Sequence, residues 1–178
     1  MSKAYKISRR HLIASGFSTT LAAVPGRFLA NAKMQKNQGD KMASLTPYLL
    51  FDGHCREAME FYKSCFGGEL TVTKVKDSPA KDRMATGQHE KVIHARLKSD
   101  IVEISASDWL RPDQTPIRGN TVCLFLSGGT LRELKALFEK LSDGAKLTDP
   151  LQGQFFGTYG ALNDKFGVRW MFQANEKD

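Results

Sequence analysis

Apolar and polar positions along residues 46–174 change period in a regular order. Thr46–Asp52 alternates at period two, and His54–Phe66 then places Cys55, Ala58, Tyr62 and Cys65 on one face at helical spacing. Gly67-Gly68 stops that helix. Glu69–Lys76, Lys91–Lys98 and Ile101–Ser107 alternate as strands, and the polar run Asp77–Glu90 reads as a long loop. The order then starts again. Asn120–Ser127 reads as a strand, and Thr130-Leu131-Arg132-Glu133 is a capping box that opens a second helix. Leu131, Leu134, Leu137, Phe138 and Leu141 form its apolar stripe, and Asp143-Gly144 ends it. Ala145–Thr148, Thr158–Leu162 and Val168–Phe172 complete the set as strands. The pattern predicts an α+β domain over residues 46–174, built of two tandem βαβββ modules at 46–107 and 120–174.

The two modules align at an offset of 76 residues, where Gly53, Arg56, Glu57 and Gly68 match Gly129, Arg132, Glu133 and Gly144. Period-two alternation sorts the strand side chains onto two faces. One face is apolar throughout and belongs under the helices. The other is mixed: His94, Arg96, Glu103, Ser105, Cys123, Phe125, Arg169 and Met171 fall on it. A few polar groups among apolar walls are the usual lining of a small-molecule site, so these eight are the candidate ligand-binding residues. Alternation alone equally describes a solvated outer sheet face. Arg96 and Glu103, on neighbouring strands, are spaced to pair with each other.

The first 45 residues follow a different pattern. Lys3 to Arg10 are basic, Leu12 to Pro25 moderately apolar, and Ala30-Asn31-Ala32 is a small-x-small cleavage signal. Ser8-Arg9-Arg10-His11-Leu12-Ile13 resembles the twin-arginine export motif, with Arg9 and Arg10 as its pair. Residues 1–32 are therefore expected to be a signal peptide cleaved after Ala32, and 33–45 a polar linker. The implied destination is the periplasm or beyond, with the twin-arginine machinery as a transient partner and no stable membrane insertion after cleavage. A chain starting at Met42 would instead be cytoplasmic. This segment also explains the charge. The formal net charge is +7, of which residues 1–32 carry +5 and the remainder only +2, so no nucleic-acid partner is expected. Cys55, Cys65 and Cys123 are odd in number and lack CxxC spacing, which supports neither a zinc site nor a disulfide framework.

Two stretches carry a resemblance. They are Pro47-Tyr48-Leu49-Leu50-Phe51-Asp52-Gly53-His54-Cys55-Arg56-Glu57-Ala58-Met59-Glu60-Phe61-Tyr62 with Phe66-Gly67-Gly68, and Asn163-Asp164-Lys165-Phe166-Gly167-Val168-Arg169-Trp170-Met171. With the tandem βαβββ order they make residues 46–174 similar to the vicinal-oxygen-chelate superfamily of glyoxalases, fosfomycin-resistance proteins and extradiol dioxygenases, and within it to the PhnB-like subgroup. The resemblance implies a curled mixed sheet around a cavity with helices outside, and a homodimer. Chelating members hold a divalent metal with His or Glu at four strand positions, which the helix starts and the repeat offset place at Pro47, Glu103, Cys123 and Met171. Only Glu103 is a usual ligand there, so no cofactor is expected and Glu103 is the one weak metal candidate. PhnB-like domains also carry a demethylubiquinone-methyltransferase label. The sequence has no glycine-rich strand–turn–helix to hold S-adenosylmethionine, so that activity is not expected. Two readings remain. One is binding of a small anionic or carbonyl-bearing molecule through Arg96 and Arg169. The other is a divalent-metal lyase, isomerase or dioxygenase with Glu103 and His94 in a shifted site.

Overall fold

The computed structural model describes residues 43–176. They fall within the second of the two units into which the chain divides, Ala43–Asp178. The expected signal motif and its cleavage site lie outside the described residues.

The element order is β1 (Tyr48–Phe51), α1 (Cys55–Phe66), β2 (Glu69–Lys74), β3 (Val92–Lys98), β4 (Glu103–Asp108), β5 (Leu124–Ser127), α2 (Leu131–Leu141), β6 (Lys146–Gln154), β7 (Gly157–Asn163) and β8 (Arg169–Ala174). Strands β1 to β4 form one sheet in the order β1-β4-β3-β2, and β5 to β8 form another in the order β5-β8-β7-β6. In each, the first and last strands run parallel and the rest antiparallel. This is the expected pair of βαβββ modules. They remain two four-stranded sheets, neither closed on itself.

The helices cover one face of each sheet. Cys55, Ala58, Met59, Tyr62, Cys65 and Phe66 of α1 are buried against Ala95, Leu97, Ile104 and Ala106. On α2 the stripe is only half covered: Leu134 and Leu141 are buried, whereas Leu131, Leu137 and Phe138 keep partial exposure. One apolar core runs through both modules. Its joint is aromatic, with Tyr62 and Phe66 of α1 packing on Trp170 of β8 at 5.6 and 5.4 Å between ring centroids.

Local chemistry explains where the elements stop. The capping box of α2 is present, with the Thr130 hydroxyl accepting from the Glu133 N–H and the Glu133 carboxylate accepting from the Thr130 N–H. Helix α1 has no such cap, since the His54 side chain makes none. Its N-terminus is capped from a distance by Asp108, whose Oδ1 accepts from the Cys55 N–H at 3.0 Å and whose Oδ2 accepts from the Val92 N–H at 2.7 Å. Gly68 has φ +86°, and a Cβ there would lie 2.3 Å from the Lys98 carbonyl oxygen, so the turn after α1 requires glycine.

Four expectations are revised. The expected strand Glu69–Lys76 ends at Lys74 and passes into a 3₁₀ turn at Val75–Asp77, and the run Asp77–Glu90 holds two more, at Lys81–Arg83 and Thr86–Gln88. Strand β6 extends to Gln154, well beyond Thr148; two register shifts and its place at the sheet edge accommodate Asp149 and Pro150, which broke the sequence pattern. Strand β5 pairs only over Leu124–Ser127, so Asn120–Cys123 lead into it unpaired.

Candidate functional site

The alternation places the candidates on the faces away from the helices. In the first sheet Tyr48 stands beside Ser105, Ser105 beside Arg96, and Arg96 beside Thr71, giving one row across four strands. The Tyr48 hydroxyl lies 3.3 Å from His94 Nδ1. Arg96 donates from Nε at 3.2 Å and from a terminal nitrogen at 2.5 Å to Glu103 Oε1. Both partners of this pair are well exposed, at 49% and 39%, so it contributes at most about 1 kcal/mol to stability. Its effect is orientation: it fixes the guanidinium on the open face, with donors to spare out of five.

In the second sheet Phe125 stands beside Met171 on β5 and β8, and Arg169 beside Asn163 on β8 and β7. The Cys123 thiol reaches the Met171 thioether, with 2.9 Å between the sulfurs. Two further residues stand on the neighbouring strands: Asp149 is level with Ala161, the partner of Met171, and Tyr159 is two residues before Ala161. Tyr159 is held above the usual phenol range, first by partial burial and then by the Asp149 carboxylate; Arg169 pulls it down and Cys123 adds to the rise. Sequence reading missed both. Tyr159 is two residues from Ala161 on an alternating strand, which would have placed it on the open face; Asp149 lay past the expected end of its strand.

The eight candidates do not converge on one pocket. Glu103, Cys123 and Phe125 line a groove of about 340 Å³ between the modules, together with Pro47, Ile101 and Trp170. Tyr48, His94, Arg96 and Ser105 stand on the open face of the first sheet. Larger grooves lie elsewhere, among them one of about 460 Å³ beside Gly68 and Lys98 and two that are larger still. One of about 940 Å³ runs between α1 and the 163–167 turn, past His54, Phe61 and Lys165. The other, of about 830 Å³, follows the half-covered face of α2 past Leu137 and Lys140.

The four chelating positions do not fit a hard divalent ion. Pro47 offers only a carbonyl, which accepts the Ser105 N–H at 3.0 Å. The Glu103 carboxylate is held by Arg96. Cys123 and Met171 supply soft sulfur. Among the described residues no three His, Cys, Asp or Glu side chains are grouped so as to hold a metal ion. The structure also revises the correspondence between modules. The inward residue Phe51 precedes Cys55, the first residue of α1, by four positions, whereas the inward residue Leu126 precedes Leu131, the first residue of α2, by five. The first strands are thus offset by one from the helices, and the open-face counterpart of Cys123 is Tyr48, not Pro47.

The two end motifs that carried the resemblance serve the joint between modules. Asp164 is buried, at 4% exposure, and accepts from the Tyr62 hydroxyl at 2.7 Å and Trp170 Nε1 at 2.9 Å through Oδ2, and from the Phe166 and Val168 N–H groups at 2.9 Å through Oδ1. The acceptor raises the Tyr62 hydroxyl far above its usual range, after burial as the larger cause.

Known proteins place this architecture. The family described as 3-demethylubiquinone-9 3-methyltransferase matches residues 43–173. Protein YjdN of Escherichia coli is 27% identical over 140 residues, covering 73% of this chain and 94% of that protein. The crystal structure of protein PA1353 from Pseudomonas aeruginosa is 31% identical with a TM-score of 0.68, covering 77% of this chain and all of that one. A PhnB protein from Bacillus cereus is 25% identical with a TM-score of 0.60, over 74% of this chain and 99% of that one. A glyoxalase/bleomycin resistance/dioxygenase domain from Frankia shares the fold at a TM-score of 0.53 and 16% identity, over 76% and 98%. With this match over residues 43–173, the chain belongs to the PhnB-like family that bears the 3-demethylubiquinone-9 3-methyltransferase description, and its tandem βαβββ sheets share the fold of the Frankia domain.

Proposed function

We propose that this domain is exported and binds a small anionic or carbonyl-bearing molecule on the open faces of its sheets. The observation that carries the reading is the placement of Arg96 and Arg169 on those faces, Arg96 pre-oriented by Glu103. A guanidinium fixed in this way presents a planar set of donors that matches a carboxylate or phosphate. The half-exposed ring of Phe125 supplies an apolar wall on the second sheet. Binding requires no group beyond the chain's own residues.

Protein purified from its native host, analysed by native mass spectrometry and crystallised for bound density, tests this. A bound small molecule whose affinity falls ten-fold or more in Arg96→Ala or Arg169→Ala supports the reading. A ligand indifferent to both substitutions overturns it. Stoichiometric Zn, Ni, Fe or Mn that disappears in Glu103→Gln together with an activity would make the domain a metalloenzyme of the glyoxalase type instead. Export rests on Arg9-Arg10 and Ala30-Asn31-Ala32. Replacing both arginines with lysine should leave the product in the cytoplasm; normal export of that variant, or a native N-terminus at Met42, sinks this part.

A further inference from the structure

The misfit at the chelating positions has a chemistry of its own. In the second module the two positions hold Cys123 and Met171, and the structure brings their sulfurs to 2.9 Å. Cys123 is not in the core: it is partly exposed and lines the groove between modules, unlike the fully enclosed Cys55. The paired strands set Met171 beside Phe125 and Ala161, and Ala161 level with Asp149 on the edge strand. A thiol and a thioether side by side are soft donors, and soft donors select d¹⁰ monovalent ions over hard divalent ones.

We propose that Cys123 and Met171 form a binding site for a thiophilic monovalent cation of the Cu(I) or Ag(I) class, separate in chemistry from the anion-binding arginines. The exchange is proton for cation: the Cys123 S–H bond breaks, the proton goes to solvent, and the thiolate binds the ion while the Met171 thioether adds a second sulfur. No electron is transferred, and the charge at the site is unchanged. A metal–sulfur distance of about 2.3 Å holds two sulfurs roughly 3.8 Å apart at a tetrahedral angle and about 4.6 Å apart when linear. The sulfurs must therefore separate by one to two ångströms, a movement open to the three rotatable bonds of methionine. Met171 lies on a central pairing register of β8, beside Phe125 and Ala161, so its backbone is fixed and only the side chain moves.

The probe is Ag(I), titrated into the reduced full-length protein by calorimetry, with Cu(I) and a chromophoric Cu(I) chelator in anaerobic competition as the second measurement. One ion per chain is expected, lost in Cys123→Ser and weakened at least ten-fold in Met171→Leu, a substitution close in volume. The fold of each variant is checked by circular dichroism and thermal melting. Absence of binding to the wild-type protein overturns the proposal. So does binding that persists in Cys123→Ser, which would assign the ion to Cys55 or Cys65. Binding lost in Cys123→Ser but unchanged in Met171→Leu removes the thioether from the site and overturns the two-sulfur proposal.

Discussion

Single residues in this domain divide sharply between holding the fold and facing solvent. Asp164 belongs to the first group: four donors converge on its carboxylate in a buried position. Asp164→Ala would strand a tyrosine hydroxyl, an indole N–H and two backbone N–H groups, and it is expected to cost about 3–5 kcal/mol in urea unfolding. Tyr62→Phe removes one of those bonds and should cost about 1.5–3 kcal/mol. The cysteines show the same division. Burial, with the Asp108 carboxylate adding to it, pushes the Cys55 thiol up to about 12 from 9.0. Because the folded state holds that proton more tightly, its contribution to stability is complete below about pH 9 and is lost as pH rises towards 12. The urea midpoint should fall over that range, and Cys55→Ala should flatten the fall, with Tyr62 acting in the same direction. A thiol reagent at neutral pH should titrate Cys123 alone in the native protein and all three cysteines in denaturant.

At the level of elements, the two helices are held by different devices. Helix α2 carries its cap in its own first turn, whereas α1 borrows Asp108, 53 residues away. Thr130→Ala should therefore cost only about 1 kcal/mol. Asp108→Ala leaves the Cys55 and Val92 N–H groups buried without acceptors and should cost about 2–4 kcal/mol. Equal losses in the two variants, measured by denaturant titration, would show that the distant cap is not the stronger one. Strand β6 shows how an edge position relaxes the requirement for alternation: a proline and two register shifts are tolerated where only one neighbour must be paired. That irregularity brings Asp149 level with Ala161, which pairs in turn with Met171.

The whole domain leaves apolar surface on the sheet faces and at one hairpin tip. Tyr48, Leu50, Phe125 and Leu147 are each about half exposed, and Phe155 at the β6–β7 turn is 89% exposed. Apolar surface of this kind marks an interaction site more often than an isolated exposed leucine does. We expect a homodimer in solution, detectable by light scattering at tens of micromolar, and Phe155→Ser to shift the equilibrium towards the monomer. A monomeric mass for the wild-type chain at that concentration would count against it.

Local pattern determined most of this architecture. Period two and period 3.6 name the strands and helices and assign Leu49, Ala95, Ile104 and Trp170 to one face and Arg96, Glu103 and Arg169 to the other, because burial on one side of a sheet forces alternation. Thr130 and Glu133 announce their helix start because both halves of that cap lie within four residues. What escaped the sequence depends on separation along the chain. The Asp108 cap spans 53 residues and the Tyr62–Asp164 bond 102, and no local period records such a partnership. Val92 falls on the nominally open parity of β3 yet is 2% exposed, because a register shift at Thr73/Lys74 turns the strand end inward. The offset of 76 matched the helices correctly but displaced the first strands by one residue, so Pro47 took the position that the sheet gives to Tyr48. A one-residue slip exchanges faces entirely, and only the hydrogen-bonded register decides which side chain meets which. For the same reason, although the sequence pattern already grouped Cys123 with Met171, only the tertiary structure put their sulfurs in contact and added Asp149 and Tyr159 from β6 and β7, through the pairing of β7 with β6 and with β8.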